Sequence, residues 1–125
     1  MSKIAKFKLE IDTTLGKGVL FLYERWTRTK DKQEAFKPGD NAIGSVDFTI
    51  DKYKIEVSSL NVEGNLQRKG YGRLLMRAMM ALGEFYNLPV ELDSLRAAEG
   101  FYKKLGMKNT KDTIYTWTPK KRKVR

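Results

Sequence analysis

A glycine-rich, basic segment lies between an apolar stretch and a stretch with helical spacing. It reads Val62-Glu63-Gly64-Asn65-Leu66-Gln67-Arg68-Lys69-Gly70-Tyr71-Gly72-Arg73. This pattern predicts a strand end, a turn and a helix start. The first N–H groups of a helix have no internal acceptor and lie at the positive end of its macrodipole. The segment therefore predicts an anion site of a kind that suits a pyrophosphate.

The side chains of this turn favour the same chemistry. Gly70 and Gly72 carry no side chain that would block a phosphate, and Arg68, Lys69 and Arg73 add positive charge. Arginine can form forked contacts with phosphate oxygens. A G-x-G spacing alone is equally typical of a tight turn with close packing, so both interpretations stand at this point.

Composition excludes several other chemistries. The 125-residue chain has no Cys and no His, which rules out thiolate nucleophiles, Ser-His and Cys-His triads, and Cys/His zinc sites. Catalysis would have to use carboxylates, hydroxyls, Tyr, Lys or backbone groups. The length favours one domain, predicted over residues 1–118, followed by a basic, disordered tail over 119–125.

The elements that would position the turn follow from hydrophobic periodicity. Strands are predicted over 3–11 and 18–26, an antiparallel hairpin over 42–50 and 53–62, and a short strand over 88–92. The polar stretch 27–41 is predicted to be a mobile loop, and a helix in its middle is left open.

Two helices are predicted in the second half. The first runs from Gly70 to Tyr86, and its predicted apolar face comprises Tyr71, Leu74, Leu75, Ala78, Met79, Leu82, Phe85 and Tyr86. The second is capped by Ser94 and ends at Gly106. A last strand or hairpin is expected over 107–117.

Two segments together resemble the signatures of the GCN5-related N-acetyltransferase (GNAT) superfamily. Gln67-Arg68-Lys69-Gly70-Tyr71-Gly72 is similar to its Q/R-x-x-G-x-G/A motif, and the segment 98–107 (Ala-Glu-Gly-Phe-Tyr-Lys-Lys-Leu-Gly-Met) is similar to its A-x-x-F-Y-x-x-x-G-F stretch. The resemblance covers residues 43–107 well and the N-terminal third poorly. It implies an α/β (α+β) fold with a mixed, mostly antiparallel sheet, splayed between the strand ending at Val62 and the one beginning near Leu88, and with two main helices.

The resemblance also implies the ligand and its contacts. Acetyl-coenzyme A would lie in the splay as the acetyl donor, with no metal. Backbone groups of Leu60 and Val62 would pair with its pantetheine arm, and the segment from Gln67 through Arg73 would hold its pyrophosphate. The implied reaction is acetyl transfer to an amine.

That reaction needs a deprotonated amine, a stabilised oxyanion and a proton for the departing thiolate. Tyr102 occupies the position at which many family members use Tyr as the acid. Glu56 lies six residues before Val62, where the histone-acetylating branch places its catalytic Glu, and that branch also shares the eight-residue step from Val62 to Gly70. Two interpretations of Glu56 stand equally: Ile55 and Val57 desolvate it and raise its pKa, or it is a solvated or salt-bridged strand carboxylate. Glu63, Glu91 and Asp93 remain alternative bases.

The chain departs from the family pattern at three places. Leu95 stands where many members have Asn, and Met107 replaces the usual Phe. The two N-terminal helices that normally wall the acceptor site are expected to be reduced or absent, because residues 11–18 are too few for them. An open acceptor side favours a protein lysine or N-terminus over an enclosed small amine.

The tail accounts for half of the formal net charge of +10, leaving +5 on residues 1–118. Pro119-Lys120-Lys121-Arg122-Lys123-Val124 matches the nuclear import signal of a polyomavirus large T antigen, which implies an import receptor as partner. An unstructured basic end and a tail added for expression are the alternatives. No signal peptide or membrane span is evident, so an intracellular protein, cytoplasmic or nuclear, is expected.

Two rival functions remain open at this stage. One is a non-catalytic GNAT-like module that binds coenzyme A or a partner, and the other is a basic nucleic-acid-binding protein. The second rival predicts exposed aromatic and basic residues on one face, whereas Phe85, Tyr86, Phe101 and Tyr102 are expected in the core. Whether the protein is a monomer or a homodimer does not follow from the sequence.

Overall fold

A computed structural model describes residues 2–27, 42–64, 67 and 70–120. Within these residues, seven strands form one sheet in the order β1-β2-β3-β4-β5-β7-β6, and only the pair β4–β5 is parallel. The strands are β1 (Ser2–Asp12), β2 (Lys17–Thr27), β3 (Gly44–Ile50), β4 (Ile55–Val62), β5 (Val90–Asp93), β6 (Lys108–Lys111) and β7 (Ile114–Trp117). The helices are α1 (Tyr71–Tyr86) and α2 (Glu99–Lys104). The predicted mixed, mostly antiparallel sheet with two main helices is confirmed.

Aspartates close the two tight hairpins of the first half. Asp12 Oδ1 accepts the N–H groups of Thr14 and Leu15 at 3.0 Å each, at the end of β1. Asp51 Oδ1 accepts those of Tyr53 and Lys54 at 2.7 and 2.9 Å between β3 and β4. These bonds lower the pKa of the Asp51 carboxyl. Such side-chain bonds mimic backbone turn bonds, which is why Asp is frequent in turns.

The first hairpin leaves one face of the sheet without a helix in the described part. β1 and β2 are joined by only residues 13–16, so no helix lies between them. The stretch 28–41, which includes most of the predicted loop, lies outside the described residues. We call the face that packs against α1 the core face. The opposite side, which carries Lys8, Glu10, Asp47, Glu56 and Glu91, is called the second face.

The hydrophobic core lies between the core face and the two helices. Its fully buried side chains include Leu22, Val46, Phe48, Ile55, Leu75, Met76, Met79, Val90 and Tyr115. Alternate residues of each strand contribute to it, as the twofold side-chain period of a strand requires. Met107 is also buried, so the substitution of Met for the family's Phe keeps an apolar side chain inside.

The predicted apolar face of α1 is partly wrong. Leu74, Phe85 and Tyr86 are 45%, 75% and 43% exposed, whereas Met76, Met80 and Gly83 are buried. The helix is apolar around much of its circumference, so periodicity alone does not select one arc. The expectation that Phe85 and Tyr86 lie in the core, which spoke against nucleic-acid binding, is therefore also wrong.

Gly83 sets the orientation of α1. A Cβ atom at this position would lie 2.8 Å from the carbonyl oxygen of Leu88, 2.9 Å from Trp117 Cζ3 and 3.0 Å from Val90 Cγ2. The helix can approach β5 and β7 this closely only because residue 83 lacks a side chain. This contact turns Met76 and Met80 toward the sheet.

The second helix begins later than predicted. Ser94 does not cap it, because its buried Oγ donates to the carbonyl oxygen of Leu95 at 2.7 Å. A 3-10 turn over Arg96–Ala98 precedes α2, and its N-cap Leu95 provides no side-chain bond. The predicted end is confirmed, since Gly106 has φ +91° directly after the last turn. Beyond β7, Pro119 is buried and the Lys120 N–H donates to Glu84 Oε1 at 3.2 Å, while residues 121–125 lie outside the described residues.

Replacing Gly83 with Ala tests this close approach. Gly to Ala in a helix normally stabilises, but here the methyl group meets a backbone carbonyl, so we expect a loss of about 1–3 kcal/mol of unfolding free energy. Urea denaturation measures it. Gly100 in α2 is the matched control, because a Cβ there has no neighbour within 4 Å. Gly100→Ala should be neutral or stabilise slightly, and equal behaviour of the two variants would contradict the packing argument.

Candidate active site

The parallel strands β4 and β5 separate after three paired residues. Ile55 faces Val90, Glu56 faces Glu91 and Val57 faces Leu92, and there the pairing stops. β4 continues to Val62 and β5 ends at Asp93. The gap is a cleft of about 720 Å³, lined by both strands, the start of α1 and the segment from Ser94 to Tyr102. The predicted splay of the sheet is therefore present.

A β-bulge at Ser58 marks the beginning of the split. Asp47 of β3 faces Ser59, whereas the next residue, Phe48, faces Val57, so Ser58 is an extra residue in β4. Ser58 Oγ donates to the Asp47 carbonyl oxygen at 3.1 Å, and Ser59 Oγ donates to Asp47 Oδ2 at 2.7 Å. Asp47 thus holds both serines of the bulge. A bulge changes which residues of a strand face each neighbour.

Beyond the bulge, the main-chain groups of two residues of β4 face the cleft. The Glu63 N–H donates to the Ile43 carbonyl oxygen at 3.0 Å, just before β3. Because the hydrogen-bonding direction alternates along a strand, the main-chain groups of Asn61 also face β3, and those of Leu60 and Val62 face the cleft. The Val62 carbonyl accepts Gln67 Nε2 at 3.2 Å. Leu60, Val62 and Gln67 all line the cleft, as the sequence predicted.

The start of α1 forms one end of the cleft. Its N-cap Gly70 has φ 89° and provides no side-chain bond, and the first turn contains no acidic residue. Arg73 is exposed in this turn and lines the cleft with Gly70 and Gly72. The positive end of the helix is thus left for an external anion. Arg68 and Lys69, also predicted at this position, lie outside the described residues.

The two glycines of the turn have different roles. A Cβ at Gly70 would meet nothing within 4 Å, so Gly is needed there for the left-handed conformation. A Cβ at Gly72 would lie 3.4 Å from the Phe101 ring across the cleft. Both glycines line the cleft, and a side chain at either position would extend into or beside it.

Tyr71, a predicted ligand residue, lies at the start of α1 but is not part of the cleft lining. Its ring is buried, and its hydroxyl donates to Glu24 Oε1 of β2 at 2.6 Å. This side chain secures the start of α1 to the sheet. Its main chain belongs to the first turn of the helix, and the prediction that amides of residues 68–73 hold the anion stays a prediction.

Tyr102 of α2 borders the cleft with a buried ring. The side chain is 9% exposed and packs edge-on against Phe101 at a centroid distance of 5.0 Å. Burial raises the pKa of its phenol above the usual 10.0. No hydrogen bond of its hydroxyl is found within the described residues. A protonated phenol at a cleft wall can donate a proton to a ligand.

Glu56 lies beside the cleft on the second face. Its side chain is 54% exposed, so the solvated alternative holds and desolvation by Ile55 and Val57 is wrong: those two side chains point into the core, and Glu56 points away from it. Lys54 Nζ lies 3.6 Å from Glu56 and 3.1 Å from Glu91. The hydrogen bond to Glu91 raises the pKa of Lys54.

The alternative bases differ in position. Asp93 lines the cleft at the end of β5, and its carboxylate accepts the Thr113 hydroxyl. Glu91 is bound to Lys54, and Glu63 is exposed just after β4. Among the four candidate carboxylates only Asp93 belongs to the cleft lining, while Glu56 adjoins it through Val57.

The structure adds residues that the sequence analysis did not single out as site residues. Ser58, Leu92, Ala97, Ala98 and Phe101 line the cleft, and Leu95 at its rim is 81% exposed. Within the described residues, no group of three or more acidic, Cys or His side chains could hold a metal ion. No helix in that part of the chain is long and apolar enough to cross a membrane.

A comparison with protein families gives a match over more than half of the chain. The family model described as "Acetyltransferase (GNAT) domain" matches residues 29–108, so the β1–β2 hairpin lies outside the match. No curated protein matches the sequence significantly.

Solved structures share the fold. Tetrahymena GCN5 is 19% identical with a TM-score of 0.61, covering 82% of this chain and 68% of that one. A GNAT family acetyltransferase from Elizabethkingia anophelis with acetyl-CoA bound is 14% identical (TM-score 0.58, covering 78% and 58%). Glucosamine-6-phosphate N-acetyltransferase from Arabidopsis thaliana is 14% identical (TM-score 0.58, covering 78% and 63%). This chain therefore spans between 58% and 68% of these longer chains.

Proposed function

Because this chain belongs to the GNAT acetyltransferase family, we propose that it transfers the acetyl group of acetyl-coenzyme A to an amine. The observation that carries the proposal is the split between β4 and β5, with backbone groups of Leu60 and Val62 facing a cleft that ends at an uncapped helix. A linear ligand with amide groups in its arm and a pyrophosphate at one end matches this arrangement.

The residues of the cleft fit acetyl-coenzyme A. Main-chain groups of Leu60 and Val62 would pair with the pantetheine arm as a neighbouring strand would, and Leu92, Ala98 and Phe101 offer it apolar contacts. The first turn of α1 and Arg73 would hold the pyrophosphate. Leu95 offers no side-chain hydrogen bond, but its exposed side chain can cover part of the ligand. When bound, this donor supplies an activated acetyl group as a thioester.

The acceptor is proposed to be a lysine side chain or N-terminal amine of a protein. The second face of the sheet has no covering helix in the described part of the chain, so a polypeptide can approach it. A shallow depression of about 580 Å³ lies there, bordered by three carboxylates, Glu10, Asp12 and Asp47, and one lysine, Lys17, and it shares Ser58 with the cleft. These carboxylates would favour a positively charged acceptor.

Tyr102 is proposed as the general acid. Its ring packs against Phe101, which orients the phenol, and the raised pKa keeps the proton on the oxygen at neutral pH. A phenol in that state can transfer its proton to the departing sulfur atom.

Glu56 is proposed as the general base that receives the proton of the amine. It lies on the second face, from which the acceptor would approach, one residue before Val57 of the cleft. Its exposure means that water can reach the carboxylate before the acceptor binds. Asp93 is the rival for this role because it lines the cleft directly.

The cellular location is proposed from the acetyl donor. We place the protein inside the cell, because acetyl-coenzyme A would have to be present there. The basic end, residues 119–125, would either bind an import receptor or assist contact with anionic surfaces.

Calorimetry with acetyl-coenzyme A tests the ligand site. We expect micromolar binding, and Arg73→Gln should raise Kd about three- to tenfold by removing a charged hydrogen bond to phosphate. Arg77→Gln is the matched control, because Arg77 is also exposed on α1 but lies outside the cleft lining. Equal losses in both variants would argue against a phosphate site at the helix start.

The acid role predicts a specific kinetic effect at residue 102. Tyr102→Phe should lower kcat by about 100-fold or more and leave Kd for acetyl-coenzyme A nearly unchanged. In the parent protein, a raised pKa means that kcat should not fall from loss of this proton until the pH exceeds 10.0. Tyr115→Phe is the control, since Tyr115 is a buried tyrosine bonded to Glu99 outside the cleft lining. Full activity of Tyr102→Phe would exclude the acid role.

Mass spectrometry of lysine peptides incubated with acetyl-coenzyme A tests both the acceptor and the base. We expect acetylated peptide, a fall of about 100-fold in kcat for Glu56→Gln, and a smaller effect for Asp93→Asn. The reverse order would transfer the base role to Asp93. Cofactor binding with no acetylation of any peptide amine would favour a non-catalytic module, whereas acetylation only of a small amine such as glucosamine-6-phosphate would overturn the protein acceptor.

A further inference from the structure

The first strand is a long sheet edge. β1 spans Ser2–Asp12 and, among the residues that the structure describes, pairs only with β2. An exposed edge of this length presents a row of backbone donors and acceptors to any partner that can add a strand. Natural edges are usually short, bulged or protected by charge; β1 is long and has no bulge, so the arrangement of its charges decides whether a second strand can pair with it.

The backbone groups that face outward can be identified from the pairing. The Ile43 N–H donates to the Leu22 carbonyl oxygen, so Leu22 faces β3, and Phe21, one residue earlier, faces β1. Phe21 is opposite Lys8, so the main-chain groups of Lys8 face β2. By alternation, those of Phe7, Leu9 and Ile11 face the free edge. An added strand must bond to these odd-numbered residues.

The side chains of the edge alternate between two chemical types. Phe7 and Leu9 lie on the core face yet are 42% and 43% exposed, because they reach beyond α1. Leu9 borders a groove of about 240 Å³ that is also lined by Ala78, Leu82 and Phe85, the last 75% exposed. On the second face the order is Lys6, Lys8, Glu10 and Asp12, two cations followed by two anions.

That charge order is self-complementary in one antiparallel register. If Leu9 of one copy faces Leu9 of another, Lys8 faces Glu10 and Lys6 faces Asp12, and both pairs occur twice by symmetry. The same register places Phe7 opposite Ile11. Moving the strand by two residues in either direction brings Lys8 opposite Lys8 or Glu10 opposite Glu10 at the centre, which repels. A shift by one residue would misalign the outward backbone groups.

The described contacts of Lys8, Glu10 and Asp12 allow these side chains to pair with a second copy. Lys8 Nζ lies 3.1 Å from Glu10 Oε1 within one strand, and both side chains are more than half exposed, so they can turn to the opposite strand. Asp12 uses Oδ1 alone for its two turn bonds. The apolar side chains of both copies would then form one continuous strip along the core face, between the two α1 helices.

We propose that this chain forms a twofold homodimer through antiparallel pairing of β1 with β1 of a second copy, centred on Leu9. The pairing extends the seven-stranded sheet into one of fourteen strands. It covers Phe7 and Leu9 and leaves the cleft between β4 and β5, on the far side of β3, accessible in both copies. The proposal does not depend on the acetyl-transfer reaction, although Glu10 and Asp12 would serve both this interface and the depression proposed for the acceptor.

Charge reversal tests the register in the full chain. Sedimentation or light scattering at micromolar concentration should give a dimer. Lys8→Glu alone and Glu10→Lys alone should each weaken dimerisation about tenfold or more, because each places two like-charged pairs across the interface. The double variant should restore it. Lys103→Glu on the exposed surface of α2 is the control for a change in net charge. A monomeric parent protein, or a double variant that stays as weak as the single ones, would overturn the proposal.

Disulfide formation provides a second test, since the sequence contains no cysteine. Leu9→Cys places two thiols opposite each other on the twofold axis, within the range for a disulfide, and should give a covalent dimer on mild oxidation. Phe7→Cys is the matched control, because its two copies would lie about 14 Å apart along the paired strands. Crosslinking of both variants to the same extent, or of Phe7→Cys alone, would contradict this register.

Discussion

The extra residue in β4 is the constraint on which the rest of the site depends. Until Val57 the strand is bonded on both sides, and its side chains alternate between the core and the second face. Ser58 interrupts that alternation as a β-bulge, and Asp47 stabilises the bulge by accepting hydrogen bonds from Ser58 and Ser59. Beyond it, Leu60 and Val62 direct backbone groups into a gap that β5 does not fill. A regular β4 would direct those of Ser59 and Asn61 there instead.

The start of α1 completes the arrangement because it faces the same gap. Gly70 ends the turn in a left-handed conformation, and Tyr71 attaches the first turn to Glu24 of β2. The sheet thereby fixes the position of the positive end of α1 relative to the unpaired edge of β4. The residues proposed to act on protons, Tyr102 and Glu56, belong to elements that border this gap on opposite sides of the sheet. A ligand lying in the split would come within reach of both faces.

Much of the fold and of the cleft could be predicted from the sequence, and the predictions that were wrong have physical causes. Hairpins, α1 and the glycine turn follow from local periodicity and turn chemistry. The bulge could also be predicted from the sequence, since the apolar positions of β4 shift from odd numbers, Ile55 and Val57, to an even number, Leu60. No pattern in the sequence predicted the orientation of α1, because its apolar residues surround most of the helix. Only the tertiary contact at Gly83 determines which side faces the sheet. The exposure of Glu56 depends on which face of the sheet is covered, and hydrophobic neighbours in a strand point to the opposite face.

The most direct measurement of the central claim is amide hydrogen exchange by NMR, with and without coenzyme A. Leu60 and Val62 should exchange rapidly in the free protein and become protected on saturation, whereas Asn61, already bonded to β3, should change little. The amides of Gly72 and Arg73 should become protected together with them. Unchanged exchange at Leu60 and Val62 in the presence of bound ligand would show that the split between β4 and β5 does not hold it.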